Sequence, residues 1–145
     1  MSNLHQIALT CISGVGHVNA RTLLSYCGSA EEVFKTKKTQ LTAIPGIGTK
    51  TAEAILNHSG FNRAEQELQF IEKYKIKPLF FTDECYPKRL KTCFDAPILL
   101  YFKGSADFNA SKVISVVGTR NATDYGKELC KALMADLKVH NPLVI

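Results

Sequence analysis

The residues with the clearest potential for chemistry lie in one loop towards the end of the sequence. Val113–Gly126 reads VISVVGTRNATDYG, in which a β-branched run ends at Gly118 and Arg120 follows two residues later. A helix is predicted to begin within Thr123–Gly126. A strand, a loop large enough for a phosphate and a helix form the first unit of a doubly wound α/β sheet, which binds ligands outside the carboxyl ends of its strands. We therefore expect a functional site in this loop.

The loop has a fixed positive charge where a dinucleotide-binding loop has glycines. The G-x-G-x-x-G fingerprint is absent, and Gly118-Thr119-Arg120 stands in its place. A guanidinium can hold two phosphate oxygens at once, and the hydroxyl of Thr119 can donate a further hydrogen bond. Thr123 is predicted to cap the following helix. The alternative interpretation is that Arg120 is a surface arginine paired with Asp124.

A ten-residue pattern occurs twice in the first part of the chain. CISGVGHVNA at residues 11–20 matches AIPGIGTKTA at residues 43–52. A tight turn between two helices needs glycine for its backbone angles. Short helices are predicted on both sides of each copy, at Leu4–Cys11, Val18–Tyr26, Lys38–Ile44 and Thr49–Asn57. The pattern predicts an all-α, SAM-like domain of two tandem helix-hairpin-helix motifs.

The glycine turns of both copies are further candidate phosphate sites. Backbone N–H groups at the start of a helix attract an anion through their unpaired donors and the helix dipole. Such contacts read no base, so binding would be independent of sequence and sensitive to salt. The alternative is that the pair is a structural or protein-docking module. The candidate DNA phosphate-binding residues are Gly14 and Gly16 in the first copy and Gly46, Gly48, Thr49 and Lys50 in the second.

The composition favours a polyanionic partner and gives no sign of a metal or catalytic centre. The formal charge is +5 with a pI near 9.0, which favours nucleic acid. The five cysteines form no C-x-x-C pair, so neither a disulfide framework nor a zinc site is expected. No signal peptide or membrane span is apparent. The carboxylates near the predicted loops, Asp83, Glu84 and Asp124, have no nucleophile or histidine partner, so no catalytic residue is predicted.

The predicted organisation is a helical domain followed by an α/β domain. We assign residues 1–62 to the tandem helix-hairpin-helix domain, 63–77 to a connecting helix and 78–145 to the first part of a Rossmann-like doubly wound domain. Strands are predicted at 79–81, 98–102, 113–117 (buried) and 143–145, with a helix at Asp124–Leu137. Because one β-α-β unit does not complete such a sheet, we expect a longer protein and an unpaired sheet edge. The lysines and aromatic residues between 73 and 91 are interpreted as a solvated rim over core aromatics rather than a base-stacking surface.

Four motifs resemble those of one known family, the DNA-processing protein A family (DprA, also called Smf). They are Tyr86-Pro87-x-x-Leu90, Asp95-x-Pro97-x-x-Leu100-Tyr101-x-x-Gly104, Val116-Val117-Gly118-Thr119-Arg120 and Thr123-x-Tyr125-Gly126. The resemblance covers about residues 78–145, and the preceding hairpins resemble the helical domain often found in that family. It implies that Arg120, flanked by Gly118 and Thr119, contributes to a basic pocket for single-stranded DNA.

The resemblance also implies a biological role. The family consists of bacterial cytoplasmic proteins that bind incoming single-stranded DNA during natural transformation, protect it and help to load the RecA recombinase. They have a Rossmann-type core, form homodimers, use no cofactor and are not enzymes. The family's glycine-rich segment and pocket lysine have no counterpart in the sequence. The rival interpretation is a nucleotide phosphoribohydrolase, which would need a glycine-rich phosphate loop and a catalytic Glu and Arg.

Overall fold

Helices occupy the first half of the chain, and two small sheets follow. The computed structural model describes residues 3–145, and tertiary contacts divide them into one unit up to Gly104 and a second unit, Ser105–Ile145. The helices are α1 (Asn3–Thr10), α2 (His17–Cys27), α3 (Ala30–Lys35), α4 (Lys38–Ala43), α5 (Thr49–Leu56), α6 (Phe61–Lys73), α7 (Lys88–Lys91) and α8 (Asp124–Leu137). The strands are β1 (Lys77–Phe80), β2 (Leu99–Phe102), β3 (Val113–Ile114) and β4 (Leu143–Val144).

The two copies of the repeat form matching turns, which confirms the tandem helix-hairpin-helix prediction. The amide of Val15 donates to the carbonyl of Ile12 at 3.1 Å, and the equivalent bond in the second copy, from Ile47 to Ile44, is also 3.1 Å. The third residue of each turn has a positive φ, +83° at Gly14 and +82° at Gly46. Side chains with a Cβ rarely adopt this conformation, so both turns require glycine there.

The apolar faces of α1 to α6 enclose the core of the first unit. The third helix begins after Ser29, whose hydroxyl caps it by accepting a hydrogen bond from the amide of Glu32. The core contains no charged side chain among the described residues. Its most deeply buried members are Ile7, Ala8, Leu9, Leu23, Val33, Leu41, Ala52, Ile55 and Ala64.

The first sheet packs on this helical core instead of joining the later strands. β1 and β2 are antiparallel, with Leu79 opposite Leu100 and Phe80 opposite Leu99. Phe80 belongs to the same buried cluster as the helices. Tyr86 is fully buried, and its hydroxyl donates to the carbonyl of Pro97. The first unit therefore continues beyond residue 78, where we predicted that the α/β domain begins, and the predicted domain boundaries stay a prediction.

The second unit contains one β-α-β unit. β3 and β4 are parallel, with Val113 opposite Leu143 and Ile114 opposite Val144, and α8 connects them. The helix has the bounds predicted from the sequence, and the hydroxyl of Thr123 caps it by accepting from the amide of Gly126 at 3.1 Å. Two strands are not a doubly wound sheet, so the Rossmann-like domain stays a prediction.

One strand prediction in this unit is wrong. A buried strand was predicted over residues 113–117, but β3 ends at Ile114, and Val117 is 92% exposed. The apolar face of α8 is also largely open, with Leu129 55% exposed. The reason is that a β-branched run becomes a buried strand only where other elements cover both of its faces. Within the described residues, β3 pairs with a single two-residue strand.

Candidate nucleic-acid interface

The hairpin turns lead directly into helices whose first amides have no acceptor within their own helix. Gly16 and Gly48 are the N-caps of α2 and α5, with φ values of −79° and −80°. No atom lies within 4 Å of a Cβ built on either glycine. The first helical hydrogen bonds run from Ala20 to Gly16 and from Ala52 to Gly48, at 2.9 and 3.0 Å. The preceding amides have no acceptor in their own helix, so each turn can bind an anion.

The two turns are neighbours on the surface of the first unit. The amide nitrogen of the Asn19 side chain donates to the carbonyl of Gly14 at 3.2 Å. A Cβ on Gly46 would lie 3.0 Å from the side-chain oxygen of Asn19, and a Cβ on Gly14 would lie 3.0 Å from the hydroxyl of Thr51. The same side chain, Asn19, thus touches both turns. The structure brings together the two sets of hairpin residues predicted from the sequence.

The second hairpin has the stronger positive charge. Lys50, in the first turn of α5, is exposed and makes no hydrogen bond or ion pair within residues 3–145. Lys38, at the start of α4, is neutralised by Glu53 at 2.7 Å. At the positions equivalent to Thr49 and Lys50, the first hairpin has His17 and Val18. Lys50 is therefore the cation available to an anion at this pair of turns.

The loop between β3 and α8 presents an unpaired guanidinium. Arg120 is exposed, and no hydrogen bond or ion pair involves it in the described part of the chain. Asp124 instead pairs with Lys127, one turn further along α8, at 2.9 Å. The alternative interpretation of Arg120 as the partner of Asp124 is therefore wrong. Asp124 and Lys127 both lie on α8, and their i, i+3 spacing brings the two side chains together, whereas Arg120 precedes the helix.

The other residues of this loop shape it. The hydroxyl of Thr119 donates to the carbonyl of Asn121 at 2.9 Å, so in this loop its proton is engaged and is not offered to a phosphate as the sequence predicts. Gly118 is exposed, and a Cβ built on it would meet no atom within 4 Å. The loop therefore leaves room for a ligand beside Arg120. It belongs to the second unit and the hairpin turns belong to the first, so they are two candidate sites.

Two of the three carboxylates near the predicted loops, Asp83 and Asp124, have structural partners, and Glu84 is exposed. A side-chain oxygen of Asp83 accepts from the amide of Phe80 at 2.8 Å, which fixes the turn after β1. Asp124 is held by Lys127. In the segment between 73 and 91, Phe80 and Tyr86 are buried as predicted, whereas Tyr74 is 44% exposed. Burial raises the pKa of the Tyr86 phenol.

Two family models match the chain, and together they cover most of it. Residues 77–145 match the model described as DNA recombination-mediator protein A, and residues 7–58 match the SAM-like helix-hairpin-helix tandem. The DNA processing protein DprA of Streptococcus pneumoniae is 34% identical over 79% of this chain. This chain belongs to the DNA-processing protein A family. It spans about half the length of that relative, since the match covers 47% of it.

The hairpin segment of this DprA-family chain also occurs in other proteins. A UvrABC system protein C from Prosthecochloris aestuarii is 43% identical over 37% of the chain, which is 8% of that protein. A DNA ligase from Symbiobacterium thermophilum is 38% identical over 45% of the chain, which is 10% of that protein. These matches show that the tandem hairpin is a module shared by otherwise different proteins. No helix within residues 3–145 is long and apolar enough to cross a lipid bilayer.

Proposed function

We propose that this DprA-family chain binds single-stranded DNA through its phosphates and does no covalent chemistry on it. The observation that carries the proposal is the unpaired guanidinium of Arg120 in the loop between β3 and α8. A guanidinium binds phosphate bidentately, and it is charged at every physiological pH. Gly118 leaves open space beside the loop that carries this guanidinium.

The hairpin turns support a second set of phosphate contacts. Their free amides and Lys50 suit an anion, and the two turns adjoin each other through Asn19. The residues proposed here are Gly14, Gly16, Gly46, Gly48, Thr49 and Lys50. The match of this segment to a protein named as a DNA ligase favours DNA over a protein partner. Phosphate contacts from two units would give strong salt dependence and no preference for sequence.

We also propose the wider role that family membership favours. The chain would protect incoming DNA in the bacterial cytoplasm during natural transformation and help to load the RecA recombinase as part of a homodimer. The chemistry agrees with this role, because protection requires binding without base recognition. RecA-dependent ATP hydrolysis on DNA coated with single-strand-binding protein tests it. The chain should shorten the lag before hydrolysis begins, and an unchanged lag would contradict the loading role.

The binding proposal predicts that Arg120→Ala weakens the affinity for a single-stranded oligonucleotide about tenfold, because a charge-assisted hydrogen bond contributes about 1.5–3 kcal/mol. The logarithmic salt dependence of the association constant should fall by about 0.7, which is the counterion release for one phosphate of a single strand. Fluorescence anisotropy across a salt titration measures both quantities.

Lys131→Ala is the matched control for this experiment. Lys131 lies on α8, its side chain is 73% exposed, and it pairs with Glu128 at 2.7 Å. The substitution removes one positive charge, as Arg120→Ala does, but from a position on α8 outside the proposed binding loop, so it should leave the salt dependence within error of the wild type. Equal effects of both variants would indicate non-specific attraction to a basic protein.

A separate assay tests the rival hypothesis of an enzyme. Release of free base from nucleoside monophosphates by the chain would favour a nucleotide phosphoribohydrolase over a DNA-binding protein.

A further inference from the structure

A groove in the first unit lies between α2 and the segment that follows β1. Its volume is about 480 Å³, which is within the range of small-ligand sites. Its lining includes the apolar residues Leu24 and Phe81, and no residue that lines the groove is acidic. The lining is completed by Val18, Arg21, Thr22, Ser25, Gly28, Thr82 and Phe94.

Arg21 gives this groove a positive charge that is not neutralised. One terminal nitrogen of its guanidinium donates to the carbonyls of Cys93 and Phe94, at 3.0 and 2.9 Å. The guanidinium carbon lies 4.7 Å from the centre of the Phe81 ring. Within residues 3–145 Arg21 has no carboxylate partner, and its other two nitrogens have no acceptor. Their N–H groups can therefore donate to a phosphate.

Phe94 is an exposed aromatic ring on a fixed backbone. Its side chain is 80% exposed, the highest value among the large apolar residues of the first unit. The bond from Arg21 to its carbonyl ties this position to α2. This bond fixes the backbone that carries the ring, and exposed aromatic residues are the usual platforms for single-stranded bases.

We propose that this groove holds one nucleotide of a bound DNA strand, with the base stacked on Phe94 and the phosphate on Arg21. The inference deepens the proposed function and rests on it. It differs from the sequence-level prediction, because neither Phe94 nor Arg21 was a candidate residue there.

The charge of the groove and its place near the first hairpin turn indicate a nucleotide as its ligand. Arg21 is the one charged residue among those that line the groove, and no acidic residue lines it. A guanidinium without a carboxylate partner favours an anionic ligand over an apolar peptide. Val18 lines the groove two residues after the N-cap Gly16, and a helix rises 1.5 Å per residue. A strand whose phosphate lies at the first hairpin turn can therefore place a neighbouring nucleotide in the groove.

Phe94→Ala in the full chain tests the inference. Anisotropy with oligo(dT) should show about tenfold weaker binding, since stacking on one aromatic residue contributes on this scale. The loss should be the same at every salt concentration, because stacking releases no counterion. Phe94→Tyr keeps the ring and should keep the affinity. In the wild type, photocrosslinking of an iodouridine-substituted strand should modify the peptide that contains Phe94.

Tyr26→Ala is the matched control. Tyr26 lies on α2 and is 62% exposed, but it does not line the groove, so its loss should leave the affinity unchanged. Wild-type affinity in Phe94→Ala, together with weakened binding by Arg120→Ala, would overturn the groove proposal and leave the proposed function intact. Absence of DNA binding by the wild type would overturn both. Loss of affinity in Phe94→Ala with unchanged thermal unfolding supports the groove and excludes misfolding.

Discussion

At the scale of single residues, the repeat places different chemistry at equivalent positions. Asn19 and Thr51 occupy the same place in the two copies, and each approaches the first glycine of the opposite turn at 3.0 Å from the position of a Cβ. The two glycines of each copy have different structural roles. The first has a positive φ and a close neighbour, whereas the second is an N-cap in open space.

This difference predicts opposite effects of one substitution at two positions. Gly46→Ser should lower the free energy of unfolding by about 1–2 kcal/mol, because an L side chain at φ +82° is strained and would meet Asn19. Gly48→Ser should leave it unchanged or raise it slightly, since serine is a preferred N-cap residue. Urea denaturation followed by circular dichroism measures both. Equal destabilisation by the two variants would contradict the assigned backbone roles.

At the scale of elements, α6 begins in close contact with α1 at Gly60. This residue is buried at the N-cap of α6, where the chain passes over α1. A Cβ built there would lie 2.4 Å from the carbonyl oxygen of Ala8 and 3.3 Å from the Cβ of Cys11. The φ of Gly60 is −89°, so the need for glycine comes from the packing of two helices and not from backbone conformation.

Gly60→Ala should therefore separate α1 from α6. We expect the free energy of unfolding to fall by about 1–3 kcal/mol, the usual effect of overpacking a tight contact. A thermal melt followed by circular dichroism measures the change. Gly118→Ala is the control, because a Cβ at Gly118 meets nothing within 4 Å, and its melting temperature should equal that of the wild type. A melting temperature equal to that of the wild type for Gly60→Ala would show that α1 and α6 can move apart without loss of stability.

At the scale of the whole molecule, the chain consists of two units that meet in sequence at Gly104 and Ser105. The residues around this boundary, 103–107, are exposed. Exposed segments between units are preferred sites of proteolysis, because a protease must bind its substrate in an extended form.

Limited digestion with trypsin should therefore begin at the boundary. Lys103 is the exposed basic residue next to it, so the first product to accumulate should end at Lys103. Mass spectrometry of a short digestion identifies this product, and Lys103→Gln should slow its formation. A first cleavage within α1 to α6 would contradict the division into units.

Much of this architecture follows from local sequence. The repeated glycine turns, the cap at Thr123 and the bounds of α8 depend on residues within a few positions of each other, and the structure confirms them. Arg120 was also recognisable, because its position after a strand is a local pattern. Its role in binding stays a prediction.

Contacts between residues far apart in the sequence were decided only by the tertiary structure. The run at 113–117 has the composition of a buried strand, but burial depends on which elements cover it, and Val117 is exposed. Arg21 meets Phe94 across 73 residues of sequence. Local sequence determined the turns, caps and helices, whereas packing between distant segments determined which charges remain unpaired and which aromatic rings face solvent.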